Sequence, residues 1–411
     1  MMEKQKNEPV LRFPEFKGEW DRQTLEKVDI KVIDGDRGTN YPNGSDFSSE
    51  GFCLFLNAKN VTKNGFSFIE KSFITKDKDN ELRKGKLQRY DIVLTTRGSV
   101  GHIAYYDLNV DFEHLRINSG MVLIRANANK LKPNYLYKYF NSNQLQNEIS
   151  KVSFGSAQPQ LTVGEILKFK IAYPSLPEQT KIANFLTAID TKIQQLTQKK
   201  ALLEQYKKGV MQQLFSQKIR FKDENGEDYP DWEEKKLGEV GEVKMCRRIF
   251  NEETSPTGEI PFFKIGSFGK EADAFISKKL YLEYRKKYPF PKKGDILISA
   301  AGTIGRTVIY NGDDAYYQDS NIVWIDNDNT KVTNEFLYYV LQIVKYNTEG
   351  GTIQRLYNNI LKSTKFISPS LPEQTKIANF LTAIDTKIET VAKQIEQTQA
   401  YKKGLLQQMF I

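Results

Sequence analysis

The stretch LPEQTKIANFLTAIDTKI begins at Leu176 and begins again, letter for letter, at Leu371. Identity runs from Pro174 through Ile193 and from Pro369 through Ile388, and similarity continues without a gap. Tyr206-Lys207-Lys208-Gly209 matches Tyr401-Lys402-Lys403-Gly404, Gln212-Gln213 matches Gln407-Gln408, and Phe215 matches Phe410. A chain that carries one such block twice is restricted to folds in which the two copies occupy equivalent places.

Each copy reads as a long helix. Ser175 suits an N-cap, Pro177 falls in the first turn, and Glu178 completes an S-x-x-E capping box. Ile182, Ile189, Leu196, Leu203 and Val210 recur every seventh residue, with Leu186, Ile193 and Leu214 at the companion position. The second copy gives Ile377, Ile384, Val391 and Leu405, with Leu381, Ile388, Ile395 and Met409; Thr398 interrupts the seam. Such heptads predict a coiled coil. About 40 residues at 1.5 Å rise make a rod of roughly 60 Å. The simplest partner for each helix is the other copy.

Outside the helices the repeat is looser. DIVLTTRGSVG (91–101) aligns with DILISAAGTIG (295–305), sharing D-I-x-[LI]-[ST]-x-x-G-[ST]-[VI]-G. Tyr135-Leu136-Tyr137 aligns with Phe336-Leu337-Tyr338, and GSAQPQL (155–161) with GGTIQRL (350–356). Trp20, Leu25 and Val28 align with Trp232, Leu237 and Val240. The chain is therefore globular half, helix, globular half, helix. IRFKDENGEDYPDW (219–232) follows the first helix, and its counterpart LRFPEFKGEW (11–20) opens the chain. Equivalent halves thus require the chain start to lie beside the end of the second helix. The expected fold is α+β: two mixed globular domains separated by a long antiparallel two-helix coiled coil with pseudo-two-fold symmetry. The expected bounds are 1–173, 174–216, 217–368 and 369–411 for domain, helix, domain and helix.

Composition narrows the function. The 411 residues carry a formal net charge of +9, which favours polyanionic partners, nucleic acid above all. Apolar runs such as Ile92-Val93-Leu94 fall far short of the ~20 residues that span a bilayer. The start, MMEKQKNEPVLRF, has no apolar signal core. Cys53 and Cys246 form no disulfide framework and fit a reducing cytoplasm. Two histidines, His102 and His114, do not supply a structural zinc site. No membrane association is expected.

Catalytic patterns are missing. There is no G-x-x-x-x-G-K-[ST], and RGSVG and AGTIG lack a dinucleotide fingerprint; a tight turn after a short strand suits them better. YPDWEEKK (229–236) reads as a solvated charged loop. A duplicated enzyme should carry two active sites, and none recurs. What recurs is binding chemistry: Lys, Arg, Asn and Gln in NAKNVTKNG, KMCRRIF, YRKKY and GGTIQRL suit phosphates and base edges.

The helices repeat more than packing demands. Thr187, Asp190, Thr191 and Lys192 equal Thr382, Asp385, Thr386 and Lys387. Two equal faces can recruit two identical partner molecules. Recombination confined to this block is the other explanation.

These features, namely the twin PSLPEQTKIANFLTAIDTKI helix openings, the twin glycine strands, the GSAQPQL and GGTIQRL loops and the circular layout, resemble the specificity subunits of type I restriction–modification systems over essentially the whole chain. The resemblance implies two target-recognition domains, each reading one half of a bipartite, asymmetric double-stranded DNA target. It implies helices that act as a ruler and dock two modification subunits, adenine-N6 methyltransferases that use S-adenosylmethionine. Two ATP-driven restriction subunits join them. This chain would be a non-catalytic subunit with no cofactor of its own; S-adenosylmethionine, ATP and Mg belong to the partners. DNA contacts are expected at Lys59, Asn60, Arg97, His102, Gln158 and Gln160, and at Arg247, Arg248, Lys264, Arg306, Gln354 and Arg355. A two-headed DNA-binding regulator and a coiled-coil interaction scaffold, each without an enzyme partner, are the rival readings.

Overall fold

The computed structural model describes residues 7–153, 160–346 and 355–411. The chain divides into two compact units: residues 1–198 with 391–411, and residues 199–390.

Unit 1 is built on a four-stranded antiparallel sheet of β1 (Ile30–Asp34), β2 (Ile92–Thr95), β3 (Ile103–Tyr105) and β4 (Met121–Ala126), in the order β1-β4-β2-β3. Unit 2 repeats it with β5 (Gly241–Lys244), β6 (Ile296–Ser299), β7 (Thr307–Ile309) and β8 (Ile322–Asn327), ordered β5-β8-β6-β7. The run Ile-Val-Leu in β2 is apolar at every position because both faces of the sheet are covered. Ile92 and Leu94 point into one core and Val93 into another. In β6, Ile296 and Ile298 face one core and Leu297 the other.

A three-stranded sheet accompanies each. Cys53–Leu56 runs parallel to Leu115–Ile117 in unit 1, as Ile260–Phe263 does to Tyr316–Tyr317 in unit 2. A strand pair precedes each long helix: Asp21–Thr24 with Lys170–Tyr173, and Glu233–Lys236 with Lys365–Ser368. The charged segment 229–236 thus ends in a strand rather than a loop. Glu233, Glu234 and Lys236 are exposed there, and Glu233 pairs with Lys235 and Glu234 with Lys365.

The long helices run Leu176–Phe215 and Leu371–Gln408. In unit 1, Ile182 and Leu186 of the first helix share a core with Leu405 and Met409 of the second. In unit 2, Val210 and Leu214 share one with Ile377, Leu381 and Ile384. Asp190 pairs with Lys402 at 2.6 Å and Lys207 with Asp385 at 2.7 Å, so within each unit the opening of one helix meets the end of the other and the two run antiparallel. A third helix joins each pair: Pro133–Phe140 buries Tyr135, Leu136 and Tyr139 in the first core, and Asn334–Ile343 buries Phe336, Leu337 and Val340 in the second. The helix openings are therefore three-helix packings, wider than a two-helix seam.

The chain start sits as the circular layout requires. Leu11 N donates to Gln408 O at 2.9 Å, and the equivalent Ile219 N lies 3.4 Å from Gln213 O. Phe13 packs edge-on against Phe185, as Phe221 does against Phe380. The capping-box reading fails here. Glu178 is buried, and its two carboxylate oxygens take the Arg12 guanidinium at 2.8 Å each, which raises the Arg12 pKa. Glu373 takes Arg220 at 3.2 and 2.8 Å and the Trp232 indole N–H at 3.1 Å. Ser370 Oγ is buried without a partner, so it caps nothing.

The next residue anchors each helix. Gln179 is fully buried; its Oε1 accepts from Lys132 N at 2.9 Å and its Nε2 donates to Pro174 O at 2.9 Å. Gln374 repeats this with Thr333 N and Pro369 O, both at 2.9 Å. A buried amide with both ends satisfied fixes one geometry, because either end left open would cost about 1–3 kcal/mol.

Candidate nucleic-acid interface

The shared glycine motif forms the same turn in both units. Thr95 ends β2, and its hydroxyl accepts from His102 N at 2.9 Å and donates to Ser99 O. Ser299 does this for Arg306 N at 2.8 Å and Thr303 O at 2.5 Å, which explains the [ST] of the motif. Gly98, Gly101, Gly302 and Gly305 all have positive φ, between 65° and 91°. The segment before the next short helix is laced onto this turn. Leu161 N donates to Thr96 O at 3.0 Å and Leu356 N to Ala300 O at 2.9 Å. Arg97 then bridges Gln160, and Ala301 bridges Arg355. Arg97, Gln160 and Arg355 are exposed. One backbone frame therefore presents Arg plus Gln in unit 1 and a single Arg in unit 2.

A neighbouring loop is tied to each turn. His102 Nδ1 lies 3.2 Å from Val61 O, and Arg306 Nη1 donates to Phe268 O at 2.9 Å. Both side chains are half-buried and serve as these ties. Lys59, on the first loop, is exposed and pairs with Glu70 at 2.7 Å. Lys264, on the second, lies 3.6 Å from Asp273.

Asn60 requires a correction. Its side chain is fully buried, its Nδ2 donates to Ser67 O and Glu70 O at 3.0 and 2.8 Å, and its Oδ1 accepts from Asn57 N. It shapes the loop and presents nothing to a ligand. Gln158 and Gln354 lie outside the described residues.

Arg247 and Arg248 line a depression with Phe250, Tyr288 and Asp319. The Arg247 guanidinium sits over the Tyr288 ring at 5.3 Å. Arg248 Nε donates to Asp319 at 2.9 Å. Sheet register reveals a residue that sequence reasoning missed. Leu94 pairs with Val122 and Val122 with Asp34, whereas Ile298 pairs with Val323, one place beyond the Trp324–Lys244 pair. Asp34 is thus the counterpart of Met245, and Arg37 the counterpart of Arg248. Arg37 is exposed, paired with Asp34 at 2.9 Å, and near Ser119 O. Arg37 follows the end of β1 after two residues and Arg248 follows the end of β5 after three, so no common spacing marks it in the sequence.

The repeated helix positions separate into two groups. Asp190 is held by Lys138 at 2.5 Å and Lys402 at 2.6 Å. Burial opposes its charge, but the two ammonium groups outweigh that and hold its pKa below the usual carboxylate range. Asp385 meets Lys207 and the Tyr339 hydroxyl, which also lies 3.0 Å from Thr382 Oγ1. Asp190, Asp385 and the Thr382 hydroxyl therefore have partners within the chain, and the matching Lys402 and Lys207 account for their identity. Thr187, Thr191 and Lys192, with Thr386 and Lys387, remain exposed. Packing does not explain why these are the same in both copies.

Among the described residues no group of three His, Cys, Asp or Glu is placed to hold a metal ion, and no helix is long and apolar enough to cross a membrane. Burial pushes the thiols of Cys53 and Cys246 up to about 12.

Residues 24–205 and 229–399 each match the family described as the type I restriction modification DNA specificity domain. The chain belongs to this family. A Haemophilus influenzae protein named as a type I restriction enzyme specificity subunit is 41% identical over 278 residues, covering 66% of this chain and 70% of that one. The crystal structure of the type I restriction-modification S subunit from M. genitalium superposes with a TM-score of 0.61 at 16% identity, covering 98% and 99% of the two chains. A chain from work on complex assembly and conformational transition of the type I R-M system gives 0.55 at 17% identity over 94% and 96%. These two share the fold. As a specificity-family member the chain is a DNA-recognition subunit, and its two family domains are the two halves of the repeat.

Proposed function

We propose that residues 1–173 and 217–368 are two target-recognition domains, each reading one half of a bipartite, asymmetric double-stranded DNA target. Residues 174–216 and 369–411 set the spacer and dock two modification subunits of the adenine-N6 methyltransferase type. Two restriction subunits complete the assembly. S-adenosylmethionine, ATP and Mg act in those partners, in the cytoplasm, and this chain contributes recognition alone.

One observation carries the reading. The same laced turn presents Arg97 and Gln160 in one unit and Arg355 in the other. A common scaffold with different outward side chains is what two readers of different sequences need. The proposed contact set is Arg37, Lys59, Arg97 and Gln160 in the first domain, and Arg247, Arg248, Lys264 and Arg355 in the second. The exposed helix residues Thr187, Thr191 and Lys192, with Thr386 and Lys387, support two equivalent docking faces, and a solved relative from work on complex assembly supports a role within such a complex.

The test is an exchange of residues 217–368 for the second recognition domain of a relative with another target. The expected outcome is a methylated site changed in one half only. A change in both halves would contradict independent reading.

A further inference from the structure

Arg37 and Arg248 occupy equivalent places beside the laced turns, and each is covered by a carboxylate from a different part of the fold. Asp34 is three residues before Arg37, on the end of β1; the pair closes at 2.9 Å with side chains 46% and 31% exposed. Asp319 is 71 residues beyond Arg248, between Tyr317 and β8; that pair also closes at 2.9 Å, with side chains 59% and 17% exposed. The same device has been built twice from unrelated positions, so shared ancestry of the two halves does not account for the acid. Asp34 Oδ1 also accepts from Gly35 N at 3.0 Å, but packing does not account for the ion pairs, since both guanidinium groups are about half exposed, where an ion pair adds little stability.

The loop cations follow suit: Lys59 has Glu70 and Lys264 has Asp273. By contrast Arg97 and Arg355, which project from the laced turn itself, have no carboxylate partner among the described residues. Arg247 rests on the Tyr288 ring instead of an acid.

We propose that Asp34 and Asp319 are specificity determinants that act as phosphate surrogates, occupying Arg37 and Arg248 until a correctly matched duplex displaces them. The proposal rests on the reading of the two units as DNA-recognition domains. A guanidinium binds carboxylate and phosphate with the same fork of donors, so the two compete for one site. Binding to DNA of any sequence is driven by phosphate neutralisation, and each cation engaged adds to it. A carboxylate parked on a cation lowers that sequence-independent attraction. On the matched target, base contacts hold the duplex close enough for phosphate to replace the acid. The mask thus weakens wrong DNA more than right DNA.

The experiment uses the full chain assembled with its modification subunits. Binding is titrated by fluorescence anisotropy on a duplex that carries the methylated target and on one that lacks it, over a range of salt. Asp319→Asn and Asp34→Asn should each tighten binding to the non-target duplex roughly five-fold and steepen its salt dependence. Target binding should change less, so the preference for target falls. Arg248→Ala combined with Asp319→Asn should abolish the gain. Glu224→Gln, which removes one exposed negative charge from the loop after the first long helix, is the charge control and should give none of it. The proposal is overturned if the Asp→Asn variants leave non-target affinity unchanged, if Glu224→Gln tightens it equally, or if the gain persists without Arg248. A wild-type assembly with no preference for the target would instead overturn the DNA-reading assignment on which the mask depends.

Discussion

The opening of each long helix and the glycine turn of each globular half are both repeated, yet they diverge in opposite ways. At the helix openings the main interior contacts recur. Gln179 and Gln374 clamp the same two backbone groups, and Glu178 and Glu373 hold Arg12 and Arg220. At the turns the backbone recurs while the outward side chains do not, as Arg97 faces Gln160 where Ala301 faces Arg355. Identity is kept where a buried polar group has one arrangement that satisfies it. It is released where a side chain meets solvent and whatever binds there.

The comparison is imperfect in one place. Trp232 donates its indole N–H to Glu373 at 3.1 Å, whereas the indole nitrogen of the equivalent Trp20 is buried without a partner. Glu178→Gln and Glu373→Gln should each cost about 3 kcal/mol in denaturant unfolding, because each leaves a largely buried guanidinium without its counter-charge. Each should also open its strap to limited proteolysis, residues 7–20 for Glu178→Gln and residues 219–232 for Glu373→Gln. Cleavage of one strap alone would mean that the two are not equivalent in the way the contacts indicate.

A smaller loss, about 2 kcal/mol, is expected for Gln179→Leu or Gln374→Leu, which fill the space and strand an N–H and a carbonyl. Matching losses in the two halves would sharpen the equivalence; a loss in one alone would break it. Asp190→Asn should cost about 2 kcal/mol, because it leaves the buried Lys138 ammonium without its counter-charge. The lowered pKa of Asp190 sets the pH dependence. Its stabilisation is present above the unfolded carboxylate range, near 3.9, and disappears as pH falls through the lower folded value. An acid titration of stability should therefore lose its Asp190-dependent part only below about pH 4. A difference between wild type and Asp190→Asn that vanished near neutral pH would contradict the clamp.

The smallest effect on folding belongs to the exposed stripe. Thr187→Arg with Thr191→Arg should change stability by less than about 0.5 kcal/mol and still cost the assembly one modification subunit, read as a mass difference by size-exclusion chromatography with light scattering. Retention of both subunits would remove the docking role of that face.

Much of this architecture was legible in the letters. The repeat located both long helices, and the matching LRF and IRF segments imply a chain start near the end of the second helix, where Leu11 meets Gln408. The alignment of DIVLTTRGSVG with DILISAAGTIG gave two equivalent turns. What escaped depended on burial or register. Asn60 reads as one more polar letter in NAKNVTKNG, and only the fold shows that its amide is spent on Ser67 and Glu70. Asp190 and Asp385 read as surface matches, though their lysines, 402 and 207, stood in the YKKG blocks already aligned. Arg37 became visible only once the strand register equated it with Arg248, whose own partner, Asp319, lies 71 residues further along the chain.

The measurement closest to the central claim is a map of methylated adenines in the host genome with and without this gene. The account predicts a split, asymmetric motif that disappears on deletion, its two halves assigned to the two globular units. A methylation pattern indifferent to the deletion would contradict it.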